Sequence, residues 1–185
     1  MPRGELFESF DDAWEHFVRR REPLEDFFDS FPAEEFEGLA WVIEPPPAVK
    51  AVAVELQRRL TGFDWLRLVP EHFLHVAVPV SGHELRGRGP FELEYRGVTC
   101  FHDAVVVQVE APSLRKAVAA PTFLPHLTLA ITTREERPDE LREVVAGLRG
   151  ATLGRDEATE AIRIAFPFSR ERLLEPWTVR ERVRL

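Results

Sequence analysis

The amino-acid sequence predicts an α+β fold made of two halves that each combine strands with a helix. Apolar segments of strand length recur along the chain, beginning with residues 39–43. Two helical patterns interrupt them, one after the proline run at 45–47 and one that opens at Pro138. The order strand, helix, strands therefore occurs twice, and it favours two halves of related build.

In the first half, the helix is indicated by apolar residues at helical spacing from Val49 to Leu60, and Gly62 ends it. A short helix capped by Ser113 is expected further along. Strands are predicted at residues 66–69, 74–80, 91–95 and 104–109, and a strand at 127–132 begins the second half.

In the second half, Pro138 opens a helix whose first turn carries Asp139 and Glu140, where the helix dipole favours anions. Gly150 marks its end. Strands are predicted near 161–166 and 177–183. No low-complexity linker separates the halves, so residues 38–185 are predicted to form one domain.

Residues 1–37 differ from the rest, because they are acidic and rich in phenylalanine. Phe10, Trp14 and Phe17 follow the spacing of a helix face, and Pro23 and Pro32 interrupt the segment. The prediction is an N-terminal helical extension of one or two helices packed on the main domain. A lid or a dimer contact is the alternative.

Composition narrows the function classes. Hydrophobic residues make up 44% of the 185 residues, which is enough for a core. The net charge of −8 argues against broad electrostatic binding to DNA or other long nucleic acid, but it leaves room for a small nucleotide or an RNA end in a local basic cleft. The longest apolar stretches, such as 104–109 and 124–131, are too short to span a bilayer.

Cys100 is the sole cysteine, so an intramolecular disulfide and a cysteine-based zinc site are excluded. The N-terminal residues have no apolar core of the secretory type. A reducing, cytoplasmic setting is the expected one.

Two of the six histidines share a sequence context. His75 and His126 each belong to an apolar strand pattern and each has a small residue two places on, Ala77 and Thr128. Side chains two apart on a strand share a face, so each histidine projects away from its apolar neighbours, towards water, a cleft or a ligand. The alternative is that both are surface or satisfied-core histidines on unrelated strands.

If the two strands lie side by side, the imidazoles form an acid–base pair. An imidazole titrates near pH 6.5, so one ring can be neutral while its partner is protonated. One histidine then takes a proton from an attacking oxygen, and the other gives a proton to a leaving oxygen. The Thr128 hydroxyl can donate to a phosphate oxygen. This chemistry needs no metal and no cofactor.

The two segments also resemble the paired motifs of the 2H phosphoesterases, the superfamily of 2′-5′ RNA ligase-like proteins and cyclic phosphodiesterases. Residues 70–82 look like the first motif, and residues 123–130, with Pro125 before His126, resemble the second closely. The resemblance covers about residues 39–185. It implies a two-lobed α+β fold with antiparallel sheets around a concave central cleft, helices on the outside, and both histidine motifs on central strands facing the cleft.

The resemblance further implies hydrolysis of cyclic phosphodiesters, such as a 2′,3′-cyclic nucleotide or an RNA-terminal phosphate, or chemistry on 2′-5′ linkages. His75 and His126 would be catalytic and Thr128 would bind phosphate. Phe73 is a further candidate for contact with the substrate, by stacking on a base, and core packing is its alternative role.

Two departures from the family pattern concern phosphate binding. Ala77 stands where the family has Thr or Ser, and one lost hydrogen bond to a charged group is worth about 1.5–3 kcal/mol. Ile131 stands where an arginine often follows the second motif, and Arg134 is the candidate substitute. A non-catalytic binder of a phosphorylated nucleotide or metabolite in the same cleft is therefore an alternative. A weaker one is an interaction module in which the N-terminal helices bind a partner.

Overall fold

The computed structural model describes residues 7–32, 34–120 and 122–185. The first six residues of the predicted extension lie outside the described residues. The α-helices are α1 Phe10–Arg19, α2 Pro47–Gln57, α3 Gly82–Leu85, α4 Pro112–Val118 and α5 Asp139–Leu148. The strands are β1 Phe36–Ile43, β2 Leu66–Leu68, β3 Val76–Val78, β4 Phe91–Cys100, β5 Ala104–Glu110, β6 His126–Thr132, β7 Thr152–Ala158, β8 Glu160–Phe168 and β9 Thr178–Arg184. Short 3₁₀ helices occupy Phe27–Ser30, Arg58–Leu60 and Glu71–Phe73.

The strands of the described residues form one open antiparallel sheet in the order β7-β4-β5-β6-β3-β1-β8-β9, with β2 paired to β6 beside this path. The predicted α+β class is confirmed. Along this path four strands lie on each side of the boundary between β6 and β3, so the two halves are joined edge to edge there. Within the part of the chain that the structure describes, their pairing is limited to Val76 opposite Leu127. We call this junction the seam.

The core lies on one face of the sheet, between the strands and helices α2 and α5. Strand residues Val76, Leu127 and Leu129 are fully buried there, and Ala53 and Leu141 reach them from the two helices. Burying a leucine side chain contributes roughly 1.5–3 kcal/mol. Because this face holds the apolar members of β3 and β6, the alternate residues of those strands project from the opposite face.

The N-terminal segment packs on the domain. Ser9 caps α1 by accepting a hydrogen bond from the Asp12 amide at 3.0 Å. Phe17, on the predicted apolar face, belongs to the main core. Arg142 of α5 donates to the Phe17 carbonyl at 3.2 Å and to the Arg20 carbonyl, which ties the end of α1 to the domain.

Several local predictions were wrong. Strand β7 was not predicted, because Arg155, Asp156 and Glu157 interrupt its apolar pattern; it is an edge strand on which such residues reach water. Strand β4 continues to Cys100, beyond its predicted end at residue 95. Residue Ala111, rather than Ser113, occupies the N-cap of α4.

Other segments also differ from the prediction. The segment after Ser81, for which no element was predicted, includes the helix α3, which a capping box between Ser81 and Glu84 starts. Strand β3 covers only Val76–Val78, so His75 lies just before it. In the part of the chain that the structure describes, no helix is long and apolar enough to cross a membrane.

Candidate active site

The seam brings His75 and His126 together. Val76 is paired with Leu127 in an antiparallel register. One step to either side therefore places His75 opposite Thr128 and Ala77 opposite His126. All four side chains project from the face opposite the core, since the intervening Val76 and Leu127 are fully buried.

The two histidines occupy diagonal corners of this arrangement. Diagonal neighbours across an antiparallel pair are separated by roughly 7–8 Å at the backbone, and long side chains can approach more closely than that. Two imidazoles at this spacing can contact one phosphate group from opposite sides. The two histidine segments thus lie side by side, as the acid–base pair predicted from the sequence requires.

Both imidazole rings are oriented by the same kind of hydrogen bond. The Nδ1 of His75 lies 2.7 Å from the Phe73 carbonyl oxygen, and the Nδ1 of His126 lies 2.8 Å from the Leu124 carbonyl oxygen. A carbonyl only accepts, so Nδ1 carries the proton in both rings. The ring nitrogen that lacks a proton in the neutral form is therefore Nε2 in both.

Aromatic rings pack edge-on against each imidazole. Phe73 and Trp177 lie 5.5 Å from the His75 ring, at 71° and 76°. Phe101 lies 5.0 Å from the His126 ring, at 79°. These rings fix the imidazole planes and exclude water from one side of each. Phe73 is only 5% exposed, so its face is occupied by packing.

The N-terminal segment supports the ring beside His126. Phe7 stacks on Phe101 at 5.6 Å, and Phe10 stacks on it at 6.3 Å. Leu124, whose carbonyl holds His126, packs in the same small apolar cluster. The extension therefore reaches His126 through a single layer of side chains.

Electrostatics favour the neutral imidazole at both positions. Burial, together with the smaller effects of the nearby His126 and Lys50, lowers the pKa of His75 to about 4 against the opposing effect of the Phe73 carbonyl. Burial also lowers the pKa of His126, opposed by its hydrogen bond to Leu124. At pH 7 the unliganded site holds an imidazole base rather than an imidazolium pair.

The phosphate-binding candidates are unequal. Thr128 is partly buried and shares the face of the histidines, so its hydroxyl can donate to a group held between them. Ala77 occupies the corresponding place beside His126 and is exposed. There is room for a larger side chain at this position.

The structure does not bring Arg134 to the histidines. It lies beyond the other end of β6, where its guanidinium pairs with Asp64 at 2.9 Å and Glu136 at 3.6 Å. Ile131, at the place of the family arginine, is 3% exposed. Neither Arg134 nor the residue at position 131 therefore supplies a cation to the cleft.

Sequence reasoning missed three residues next to the histidines: Phe101, Trp177 and Gln108. Gln108 is paired with His126 across β5 and β6 and projects from the same face. Its signal was available, since it is the polar residue within the run of valines at 105–109. Phe101 and Trp177 reach the site by long-range packing, for which no local pattern exists. Among the described residues, no three metal-ligating side chains converge on a common point.

Comparison with solved structures identifies the fold. No family model matches the chain, and no curated protein matches it in sequence. The structure of TT0787 from Thermus thermophilus is similar at a TM-score of 0.56 and 20% identity, over 80% of this chain and 97% of that one. Apo LigT from E. coli is similar at a TM-score of 0.58 and 18% identity, over 82% and 98% of the two chains.

This chain has the fold of the LigT-like 2H phosphoesterases. The expected two-lobed α+β architecture is thereby confirmed. Structures of E. coli LigT have been determined with ATP, with 3′-AMP and with phosphate. The matches extend over nearly all of each LigT chain, whereas about a fifth of the present chain lies outside them.

Proposed function

We propose that the protein is a metal-independent phosphoesterase that hydrolyses a cyclic phosphodiester on a small nucleotide or an RNA terminus. The observation that carries this proposal is the matched pair of imidazoles, His75 and His126. Both are fixed in the same tautomer, and they face each other diagonally across the seam. The LigT-like fold supports it, because LigT itself has been seen with 3′-AMP and phosphate.

The environments of the two rings suggest their roles. His75 has the additional electrostatic effects of His126 and Lys50, which oppose its protonation. It is therefore the ring that stays unprotonated at neutral pH and is available to accept a proton as general base. An anionic phosphate between the rings favours a proton on the partner, so His126 is the general acid of the substrate complex.

The reaction then balances as follows. Nε2 of His75 removes a proton from a water molecule as the water oxygen forms a bond to phosphorus. The bond between phosphorus and the leaving ribose oxygen breaks, and Nε2 of His126 gives its proton to that oxygen. Thr128 donates a hydrogen bond to a non-bridging oxygen. The product is a phosphomonoester. If a 5′-hydroxyl replaces the water molecule as the nucleophile, the same step joins two nucleotides by a 2′-5′ linkage. The reverse of that step cleaves the linkage.

The test is hydrolysis of nucleoside 2′,3′-cyclic phosphates by the wild type, His75→Ala and His126→Ala. Losing a general acid or base lowers the rate by about 10²–10⁴-fold, so both variants are expected to fall in that range. His83→Ala is the matched control, because His83 is an exposed imidazole on α3 paired with Glu181 at 2.7 Å. Equal turnover by all four proteins would remove these residues from the reaction.

Ala77 favours a second candidate function, a binder that holds a phosphorylated nucleotide or metabolite without turning it over. The face beside His126 carries no hydroxyl there, and stabilisation of the transition state suffers more than ground-state binding from such a gap. Calorimetry with 3′-AMP distinguishes the two candidates. Binding that is lost in His126→Ala, with no turnover of any cyclic phosphate by the wild type, would favour the binder.

A further inference from the structure

A cavity of about 410 Å³ lies beside His126, on the side away from His75. Its wall is formed by the start of α1, the central part of β4, the end of β5 and the segment that follows α5. Two of its residues also belong to the surroundings of His126: Leu124, which holds the imidazole, and Gln108, its cross-strand neighbour. The cavity volume is within the range of small-ligand sites.

Two polar atoms at this cavity are buried with no acceptor among the residues that the structure describes. One is Nε2 of Gln108, a residue that is only 9% exposed, and the other is a terminal guanidinium nitrogen of Arg149. Such groups are costly to leave unsatisfied, at about 1–3 kcal/mol or more. Both atoms are donors, so the partner they lack is an acceptor.

Gly97 packs closely against both residues. It has a φ of 67°, and a Cβ built on it would lie 3.0 Å from Oε1 of Gln108 and 3.1 Å from the Arg149 carbonyl oxygen. A side chain there would be strained and would crowd both neighbours. The glycine thus permits the Gln108 side chain and the backbone at Arg149 to lie close to β4 at this cavity.

The charge of the cavity is positive within an acidic protein. Three arginines line it: Arg96, Arg115 and Arg149. Two carboxylates partly balance them, Glu110 at 3.4 Å from Arg96 and Asp11 at 2.9 Å from Arg149. The excess guanidinium and the unsatisfied donors together require an anionic acceptor, and a phosphate oxygen fits both requirements.

The distance between the cavity and the histidines limits which ligands can contact both. His126, Gln108 and Arg96 form a row across β6, β5 and β4. Adjacent strands lie about 4.8 Å apart, so Arg96 begins roughly 10 Å from His126. The phosphates on the two sides of one nucleoside are closer together than this, and Gln108, midway along the row, falls within their span.

We propose that this cavity binds a second phosphate of the substrate, one nucleoside away from the phosphate held between the histidines. The inference rests on the proposed function and narrows its substrate to a nucleotide or RNA end that carries a phosphate on the 5′ side. Gln108 and Arg149 bind this phosphate at the cavity floor, and Arg115 binds it from the exposed rim. The N-terminal extension completes the cavity wall through Ser9, Phe10 and Asp11.

The kinetic test compares adenosine 2′,3′-cyclic phosphate with the same compound bearing a 5′-phosphate. The wild type is expected to show a kcat/KM at least about tenfold higher for the 5′-phosphorylated compound, from one or two charge-assisted hydrogen bonds. In Arg115→Ala and Arg149→Met this ratio should approach one. Arg58→Ala, an exposed arginine of the 3₁₀ helix after α2 paired with Glu55, is the control and should retain the wild-type ratio.

Turnover of both compounds by the wild type at equal efficiency would overturn the inference and leave the phosphoesterase proposal standing. If neither compound is hydrolysed, the proposed function fails, and calorimetry still decides the inference. Adenosine 3′,5′-bisphosphate should bind at least about tenfold more tightly than 3′-AMP, and Arg149→Met should abolish the difference. Equal affinity of the wild type for these two probes would overturn it.

Discussion

Ala77→Thr is expected to increase the activity of the protein. In the register of the seam, Ala77 lies opposite His126 as Thr128 lies opposite His75. A hydroxyl at position 77 would therefore reach a phosphate from the second side. The side chain of Ala77 is exposed, so the two added heavy atoms meet no packed neighbour.

The size of the gain follows from the bond that is added. A hydrogen bond to a charged group contributes about 1.5–3 kcal/mol, and 1.4 kcal/mol corresponds to a tenfold change. The expected increase in kcat/KM is therefore about 10–150-fold, provided that the hydroxyl donates in the transition state. If the hydroxyl donates equally to the bound substrate and to the transition state, KM decreases and kcat is unchanged.

The assay is steady-state hydrolysis of a nucleoside 2′,3′-cyclic phosphate by the wild type, Ala77→Thr and Ala77→Val. Valine reproduces the branched shape and strand preference of threonine without its hydroxyl, so it isolates the hydrogen bond. The reasoning is refuted if the threonine and valine variants have the same kcat/KM.

Three further predictions concern the residues around the seam. Thr128→Val should lower kcat/KM about 10–150-fold, as the converse of the threonine gain, and an unchanged value would contradict its role in phosphate binding. The His75 ring has a pKa near 4 when folded and about 6.5 when unfolded, so the unfolded chain binds more protons between these values and stability is lost as the pH falls through that window. The free energy of unfolding should therefore decrease between pH 7 and pH 4.5 by about 2–3 kcal/mol less in His75→Gln than in the wild type, as measured by urea unfolding. The same decrease in both proteins would disprove this prediction. Gln57→Leu should destabilise the fold by about 2–3 kcal/mol in the same assay, because the buried Gln57 amide donates to the Val69 carbonyl at 2.6 Å and the Leu129 carbonyl at 2.8 Å, and a loss below about 0.5 kcal/mol would contradict it.

The elements that sequence predicts well here have strong local signals. Helices α2 and α5 begin after prolines and carry apolar faces, and β5 and β6 are nearly continuous apolar runs. Their existence depends on local periodicity, which the sequence displays directly. Strand β7 lacks that signal, because an edge strand has few neighbours and needs few apolar residues.

One missed element had a local signal after all. The capping box from Ser81 to Glu84 is the sequence signature of a helix start, although Gly82 is a poor helix former. A helix of four residues depends on its cap more than on its interior, so the cap was the informative feature.

The candidate site divides in the same way. His75, His126 and Thr128 could be found from their alternation with apolar residues along single strands. Their alignment across the seam depends on the pairing of Val76 with Leu127, two residues far apart in the sequence, and no local pattern specifies it. The same limit applies to Trp177 and Phe101, which reach the imidazoles from other parts of the chain.

The narrow contact between β3 and β6 has a mechanical consequence. Long antiparallel strand pairs hold each half of the sheet together. Among the residues that the structure describes, the two halves are paired with each other only at Val76 and Leu127. A phosphate bound between His75 and His126 would contact both halves of the sheet at the seam and would link them through the ligand. Occupancy would then stiffen the whole molecule, so amide exchange at Val76 and Leu127 should report binding as directly as any change at the imidazoles.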